Sequence, residues 1–453
     1  MDIKDKTIGI WGFGAVGKSA IRYFYPYGNT IEVLDNRELD QDEKKLLESK
    51  NIPFFVETAR ESFLSRNDII FPSPGINLKN FSHFRSKVLT ELDVIGQTLI
   101  SPVVGITGSV GKTTVTHLLS HVLKNHMNIW TGGNIGTPML DVLSETKKID
   151  LAVLEISSFQ LEHCNSFSPD LAIWTNFYPN HLDWHTNLKD YFNAKKKLIA
   201  TQNENQNALL PFQLLYQLKP LEQIKSKLHF FSLQKPEKKE IKKLRSHDTL
   251  FYMESDDIIC LSPESEKKIC TIKNNHITFD ENMLILASAI HILDKNKELT
   301  TLIDTSAPKL EHRLEKVATI KGVDFYNDSK STTSAATLAA VNKLSDRPII
   351  LFLGGLNKGV NRSDLIKQVK QKVKTVYSFG KEANQIKKIC DQESITCYAF
   401  DDLNKAVKKG IKQAKPGDQL LLSPAGSSFD LFADYQERGK EFKALIKQLK
   451  KYN

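Results

Sequence analysis

Two glycine-rich loops, each set between an apolar run and a helix-forming run, constrain this chain more than any other feature. Gly12 to Ser19 (GFGAVGKS) follows the strand pattern TIGIW, and Gly105 to Thr114 (GITGSVGKTT) follows PVV. A strand, a glycine turn and a helix in succession mark a parallel α/β unit. The free N–H groups and dipole at the start of such a helix attract anions. The first loop fits both G-x-G-x-x-G and the strict G-x-x-x-x-G-K-[ST] pattern. The second fails the strict pattern, because Ile106 stands where the first glycine belongs. Context separates the two. Asp35 ends the strand TIEVLD after the first loop, the layout for reading a nucleotide ribose. In the second loop Gly105, Gly108 and Gly111 are expected to offer open backbone N–H groups. Lys112 can neutralise β and γ phosphates, and Thr113, followed by Thr114, can ligate Mg2+. ATP is therefore expected at the second loop and a different nucleotide at the first. A bare strand–helix turn is the competing reading of either loop, and a nicotinamide-binding turn that of the first.

Strand and helix patterns recur in three sets, giving expected domains at residues 1–92, 93–299 and 300–453. The third holds VDFYND, a helix through SAATLAAVNKL, and the strands RPIILFLGG, KTVYSFG and GDQLLLSP. Residues 205–275 resist reading. The longest apolar run, MLILASAIHIL from Met283 to Leu293, is too short to span a membrane and contains Ser288 and His291. The chain starts without a signal-like segment, and its five cysteines include no C-x-x-C pair, so reduced thiols and a cytoplasmic location are expected. The formal charge of +9 is spread along the chain without an aromatic RNA-binding signature, so anionic small substrates are expected rather than nucleic acid.

The second loop resembles the ATP loop of the Mur ligases and folylpolyglutamate synthases, and the likeness continues in order along the chain. GGNIGTP, LEISSFQLE, NHLDWH, YFNAKKKLI, EHRLE, YNDSKSTT, LGGLNKG and LSPAGSSFDLFADYQERGKEF all have counterparts in that family. Val110 and Gly426 depart from its pattern, and the adenine-side motif is weakly marked around Asn282. The resemblance implies a three-domain architecture, with Rossmann-like terminal domains flanking a P-loop-type ATPase domain. It also implies a monomer that joins a carboxylate to an amine through an acyl phosphate, forming ADP.

Within that family, the Asp328-Ser329-Lys330 form and the SSFQLE run resemble the branch that adds D-glutamate. The implied substrates are ATP, UDP-N-acetylmuramoyl-L-alanine and D-glutamate. Matching positions imply ATP contacts at Gly108, Ser109, Gly111, Lys112, Thr113, Thr114, Asn282, Arg313, Asp328 and Lys330. They imply UDP-substrate contacts at Val16, Gly17, Asp35, Asn36, Arg37, Ser73, Pro74, Gly75, Asn134 and His181. D-glutamate is implied at Lys330, Thr332, Lys358, Ser428 and Phe429. Two Mg2+ ions are implied on Thr113, Glu155, His181 and Lys195, the last carrying CO2 as a carbamate; Lys112, Glu155, His181 and Lys195 form the implied catalytic set. Taken by themselves, Glu155 is a strand-end carboxylate, His181 a loop histidine, and Lys195 one of three consecutive helix lysines.

Overall fold

The computed structural model describes residues 3–272, 279–294, 310–344 and 346–451, in three β-sheets flanked by helices. The boundary expected near residue 300 lies outside these residues. Contacts divide the chain into two units. One holds the described residues up to Asn176, those from Phe192 to residue 272, and Asp280 to Asp294; the other holds Phe177–Tyr191, Phe279 and the described residues from 310 onward.

In the first unit a four-stranded parallel sheet is built from β1 (Thr7–Trp11), β2 (Thr30–Leu34), β3 (Phe54–Phe55) and β4 (Ile69–Pro72), in the order β3-β2-β1-β4. A nine-stranded sheet follows. Its strands are β5 (Val103–Thr107), β6 (Ile129–Gly133), β7 (Leu151–Glu155), β8 (Leu171–Trp174), β9 (Asn207–Pro211), β10 (Lys227–Ser232), β11 (Thr249–Glu254), β12 (Asp257–Leu261) and β13 (Glu266–Thr271). They run in the order β13-β12-β11-β10-β9-β8-β5-β7-β6. The central strands read as continuous apolar runs because a parallel sheet covered by helices is buried on both faces: every residue of β5 and β7 is buried.

The segment that resisted reading supplies β9 to β13. It extends the sheet in parallel as far as β11 and then turns antiparallel. The run MLILASAIHIL lies in the helix Asp280–Leu293, buried from Asn282 to Ile290. A helix apolar nearly all round belongs in a core. Among the described residues no helix is long and apolar enough to cross a membrane, and all five cysteines are free thiols.

The two sheets of this unit are tied through polar groups at helix ends. Thr90 and Asp93 form a capping box on the helix Glu91–Thr98. The second oxygen of Asp93 accepts from the N–H groups of Asn165 and Ser166, both at 2.8 Å. Glu91 accepts from Met139 N at 2.9 Å, and Arg22 grips Asp141 at 2.7 and 2.9 Å.

The second unit is a six-stranded sheet of β14 (Glu315–Ile320), β15 (Val323–Asn327), β16 (Ile349–Gly354), β17 (Val373–Phe379), β18 (Cys397–Phe400) and β19 (Gln419–Leu422). Its order is β14-β15-β19-β16-β17-β18, parallel except for the β14–β15 hairpin. Apolar clusters cover both faces of β16 and β19. Ligands in such sheets gather beyond the carboxyl ends of the strands, and the residues singled out by sequence fall there.

Candidate functional site

The second glycine loop leaves the end of β5 and enters the helix Lys112–Leu123. Gly111 caps that helix at φ +83°, a left-handed conformation that favours glycine, and a Cβ there would lie 2.9 Å from Asn282 Oδ1. No side chain caps the helix, so its first N–H groups stay open to an anion. The loop is braced from the end of β8. Ser109 N donates to Asn176 O (3.1 Å), Val110 N donates to Asn176 Oδ1 (3.0 Å), and Thr175 Oγ1 donates to Val110 O (2.6 Å). Thr175 and Asn176 were not singled out by sequence reading; their one signal is their place at the end of the apolar strand LAIW. Lys112 Nζ folds back onto Gly108 O at 3.0 Å. Thr113 and Thr114 are buried in the first turn. Asn282 is brought to the loop, and its neighbour Glu281 is pushed up to about 7 by burial, against a hydrogen bond from Asn176.

Lys195 lies behind this loop, 1% exposed, on the helix Leu188–Ala200. Its Nζ donates to Gly108 O at 2.9 Å and approaches Thr107 Oγ1 at 3.3 Å. Burial holds its pKa well below the usual lysine value; the Lys112 charge pushes the same way, and Glu155 opposes both. Lys196 and Lys197 beside it are only partly buried, so the helix turns one lysine of the run inward. Glu155 ends β7 at 2% exposure, and Asn134 Nδ2 donates to its Oε1 at 2.8 Å. Thr113, Glu155, Lys195 and Lys112 are thus gathered at the strand ends of one unit. Among the described residues no group of three or more His, Cys, Asp or Glu side chains is placed to hold a metal ion by itself. The implied metal set contains only two residues of those types, with a hydroxyl and a lysine completing it. His181 has φ +56° and belongs to Phe177–Tyr191 in the other unit, where Leu182 N donates to Lys358 O at 3.1 Å.

At the first loop, Asp35 is occupied by the backbone. Its Oδ2 accepts from Phe13 N (2.6 Å) and its Oδ1 from Asn36 N (2.7 Å) and Arg37 N (3.2 Å). Sequence reading gave this carboxylate to a ribose; in the structure it also holds the glycine loop to the next turn. Arg37 forms a bidentate pair with Glu43 at 2.8 and 2.7 Å. Arg37 and Lys18 together hold the Glu43 carboxyl down at about 2. Ser73 Oγ donates to Gly12 O at 3.0 Å, so the loops after β1, β2 and β4 meet. Val16 and Gly17 open the helix Ala15–Phe24, where a Cβ on Gly17 would strike Gly12 O. Asn36 and Arg37 line a cavity of about 980 Å3 on the side of the helix Gln41–Ser49. Ser73 and Pro74 line a second, of about 20 Å3, with Gln160 and His163; Gly75 follows in the same turn.

In the second unit Asp328 follows β15, fully enclosed. It accepts from Leu314 N (3.0 Å), Ser331 Oγ (2.5 Å) and Ser423 Oγ (2.8 Å), yet burial raises its pKa to about 6. Lys330 Nζ donates to Tyr435 Oη at 3.0 Å and lies 4.6 Å from the centre of that ring. Tyr435 was not singled out by sequence, although the tail motif contains it. Lys330 N donates to His312 O at 3.1 Å, which ties the EHRLE segment and Arg313 to this strand end. Lys358 Nζ stands 3.5 Å from Thr332 Oγ1. Ser428 is buried, whereas Phe429 is 72% exposed. Arg438, wholly buried, donates to Ser329 O (2.7 Å), Ser329 Oγ (3.0 Å) and Gly426 O (3.1 Å), and so joins the loops after β15 and β19.

Three family models match the chain in order: "Mur ligase MurD-like, N-terminal domain" over residues 6–96, "Mur ligase middle domain" over 106–282 and "Mur ligase, glutamate ligase domain" over 312–426. The UDP-N-acetylmuramoylalanine–D-glutamate ligase of Thermosipho africanus is 32% identical over 451 residues, covering 97% of this chain and 98% of its own. That of Caldanaerobacter subterraneus is 30% identical over 469 residues, covering both chains fully. Among solved structures, a pseudomurein peptide ligase type C from Methanothermus fervidus superposes with a TM-score of 0.60 at 17% identity, covering 98% of this chain and 100% of its own. The MurF ligase from Thermotoga maritima in complex with ADP gives 0.58 at 17%, covering 100% and 97%. At those identities the structures speak for the three-domain α/β fold.

Proposed function

Because this chain belongs to the Mur ligase family, we propose that it joins D-glutamate to UDP-N-acetylmuramoyl-L-alanine at the expense of ATP, in the synthesis of peptidoglycan precursors. It is an ADP-forming acid–amino-acid ligase. The observation that carries this reading is the uncapped helix start at Gly111–Lys112, with Lys195 and Glu155 buried behind its loop. That arrangement suits phosphoryl transfer, which depends on positioning and on positive charge around the phosphates.

The alanyl carboxylate of the nucleotide sugar attacks the γ-phosphorus of ATP. The bond to ADP breaks and an acyl phosphate forms. The amine of D-glutamate then attacks the acyl carbon, inorganic phosphate leaves and the amide remains. The loop at Gly108 and Ser109 and the open helix start at Gly111 receive the phosphates, with Ser109 N itself kept on Asn176 O as a brace, and Lys112 offsets their charge. Thr114 and Asn282 are assigned to the nucleotide, as are Arg313, Asp328 and Lys330 by their match to the family's motifs. Lys358, Thr332, Ser428 and Phe429 receive the amino acid, whose two carboxylates call for several donors. Val16, Gly17, Asp35, Asn36, Arg37, Ser73, Pro74, Gly75 and Asn134 hold the nucleotide sugar.

Mg2+ favours oxygen donors. Thr113, Glu155 and a carbamate on Lys195 are the donors we propose for Mg2+, which would neutralise charge on the phosphates; His181 is assigned to the metal set by its family motif alone. The carbamate suits the site. A buried, neutral amine attacks CO2, loses a proton and becomes an anion. Its burial beside Glu155 and Thr107 supports this reading.

The test is phosphate release measured with each substrate omitted in turn, across D- and L-amino acids. Release should require the nucleotide sugar and D-glutamate together. Release with ATP alone at the full rate would overturn the ligase reading. Asp35→Ala should raise KM for the nucleotide sugar about tenfold or more, the scale of losing one or two charge-assisted hydrogen bonds, because the loop loses its hold on Phe13 N. KM for ATP should stay within about twofold, since the ATP loop rests on Asn176. Titration of each ligand separates the two effects, and equal losses would count against the assignment of the loops.

A further inference from the structure

Arg362 carries a charge into the core of the second unit where nothing in the proposed reaction asks for one. It is 3% exposed and stands just before the helix Ser363–Val369. Its Nη2 donates to Gly355 O at 2.8 Å and lies 3.4 Å from Gly354 O and 3.3 Å from Glu382 Oε2. Its Nε and Nη1 are buried without a hydrogen-bond partner among the described residues. Burying a guanidinium with unmet donors costs free energy that an apolar side chain of like volume avoids. Fold stability is thus a poor reason for this residue.

Its partners suggest a better one. Glu382 Oε1 accepts from Asn357 N at 2.9 Å and from Asn357 Nδ2 at 3.0 Å. The ion pair therefore grips residues 354, 355 and 357, the turn that delivers Lys358. The far side of the turn is fixed as well. Gly355 has φ +75°, and Leu356 pairs with Ser427 through backbone bonds of 3.0 and 2.8 Å. Gly359 N donates to Asn357 Oδ1 at 2.9 Å. A lysine on a free loop would sample many positions, and a substrate carboxylate would have to order it on binding.

We propose that the buried Arg362–Glu382 pair is a positioning device for Lys358 and sets the enzyme's affinity for the incoming amino acid. This rests on the reading of Lys358 as the cation that meets a carboxylate of that substrate. The pair touches no substrate; it acts through the turn.

The test is steady-state kinetics on the full chain with Arg362→Gln, Arg362→Lys, Asn357→Ala and Lys358→Ala, with the melting temperature of each. In Arg362→Gln, KM for D-glutamate should rise about tenfold or more, while KM for ATP and for the nucleotide sugar stays within about twofold. Arg362→Lys, which keeps the charge, should recover part of that loss. Asn357→Ala, at a partly exposed side chain, should raise the same KM about threefold with little change in melting temperature. A lowered melting temperature with KM for D-glutamate unchanged would overturn the proposal and leave a purely structural pair. Should Arg362→Gln fail to fold, Asn357→Ala decides alone, and an unchanged KM there overturns it. If Lys358→Ala leaves KM for D-glutamate unchanged, the amino-acid reading of Lys358 fails and takes the proposal with it. If Lys358→Ala raises that KM and the other variants do not, only the positioning role fails.

Discussion

Lys112→Ala is expected to abolish ATP-dependent amide formation, lowering kcat by about 1,000-fold or more, the scale seen when a preorganised charge is removed from a transferring phosphoryl group. Lys112 opens the helix proposed to receive the phosphates, and its Nζ donates to Gly108 O, 3.0 Å away. An arriving phosphate needs only to displace that carbonyl. The substitution leaves Gly108, Gly111 and the brace from Asn176 in place, so the loop itself should keep its shape. Binding of the nucleotide sugar, read by calorimetric titration, should be nearly unchanged, because the first loop belongs to a different sheet. Turnover near that of the unaltered protein would refute ATP at this loop.

Lys195→Ala is expected to be almost as damaging, again about 1,000-fold in kcat, by removal of an anion that balances charge beside the phosphates. Burial lowers the Lys195 pKa and so favours the neutral amine, the form that takes up CO2. Short-chain carboxylic acids should restore part of the activity of Lys195→Ala, since a small carboxylate can fill the space and the charge that are lost. Depleting CO2 and bicarbonate from the unaltered protein should lower activity, and 13C-labelled bicarbonate should give a carbamate resonance that Lys195→Ala lacks. Full activity without that resonance would remove the carbamate from the reading. Restoration of Lys195→Ala by neutral small molecules as well as by acids would point to simple cavity filling.

The placement of Lys195 also shows where sequence runs out. In YFNAKKKLI three lysines stand together, and a solvated helix face is the ordinary reading of such a run. Helical geometry decides that one faces inward, but the sheet packed against the helix decides which one. Asp35 differs. Its place after β2 was legible, while its use of both oxygens on backbone N–H groups was not, because those groups come from the turns of two strands. Tyr435 meets Lys330 across 105 positions of sequence, and Arg438 reaches Ser329 across 109. No local pattern encodes either contact.

The sequence by itself determined the parallel α/β units and the two glycine turns that each lead from a strand into a helix. These follow from short-range physics: apolar runs long enough for buried strands, glycines where the backbone must turn left-handed, and free N–H groups at helix starts. The family followed from the order of motifs in the chain, and full-length relatives at 30–32% identity agree with it. Tertiary structure decided the rest. It turned residues 207–271 into the far half of the central sheet, although the outermost strand, Glu266–Thr271, is half exposed and carries little apolar signal. It also buried Lys195, Asp328, Arg362 and Arg438. Whether a charged side chain is solvated or enclosed depends on what packs over it, and those neighbours arrive from distant segments whose apolar faces close around it.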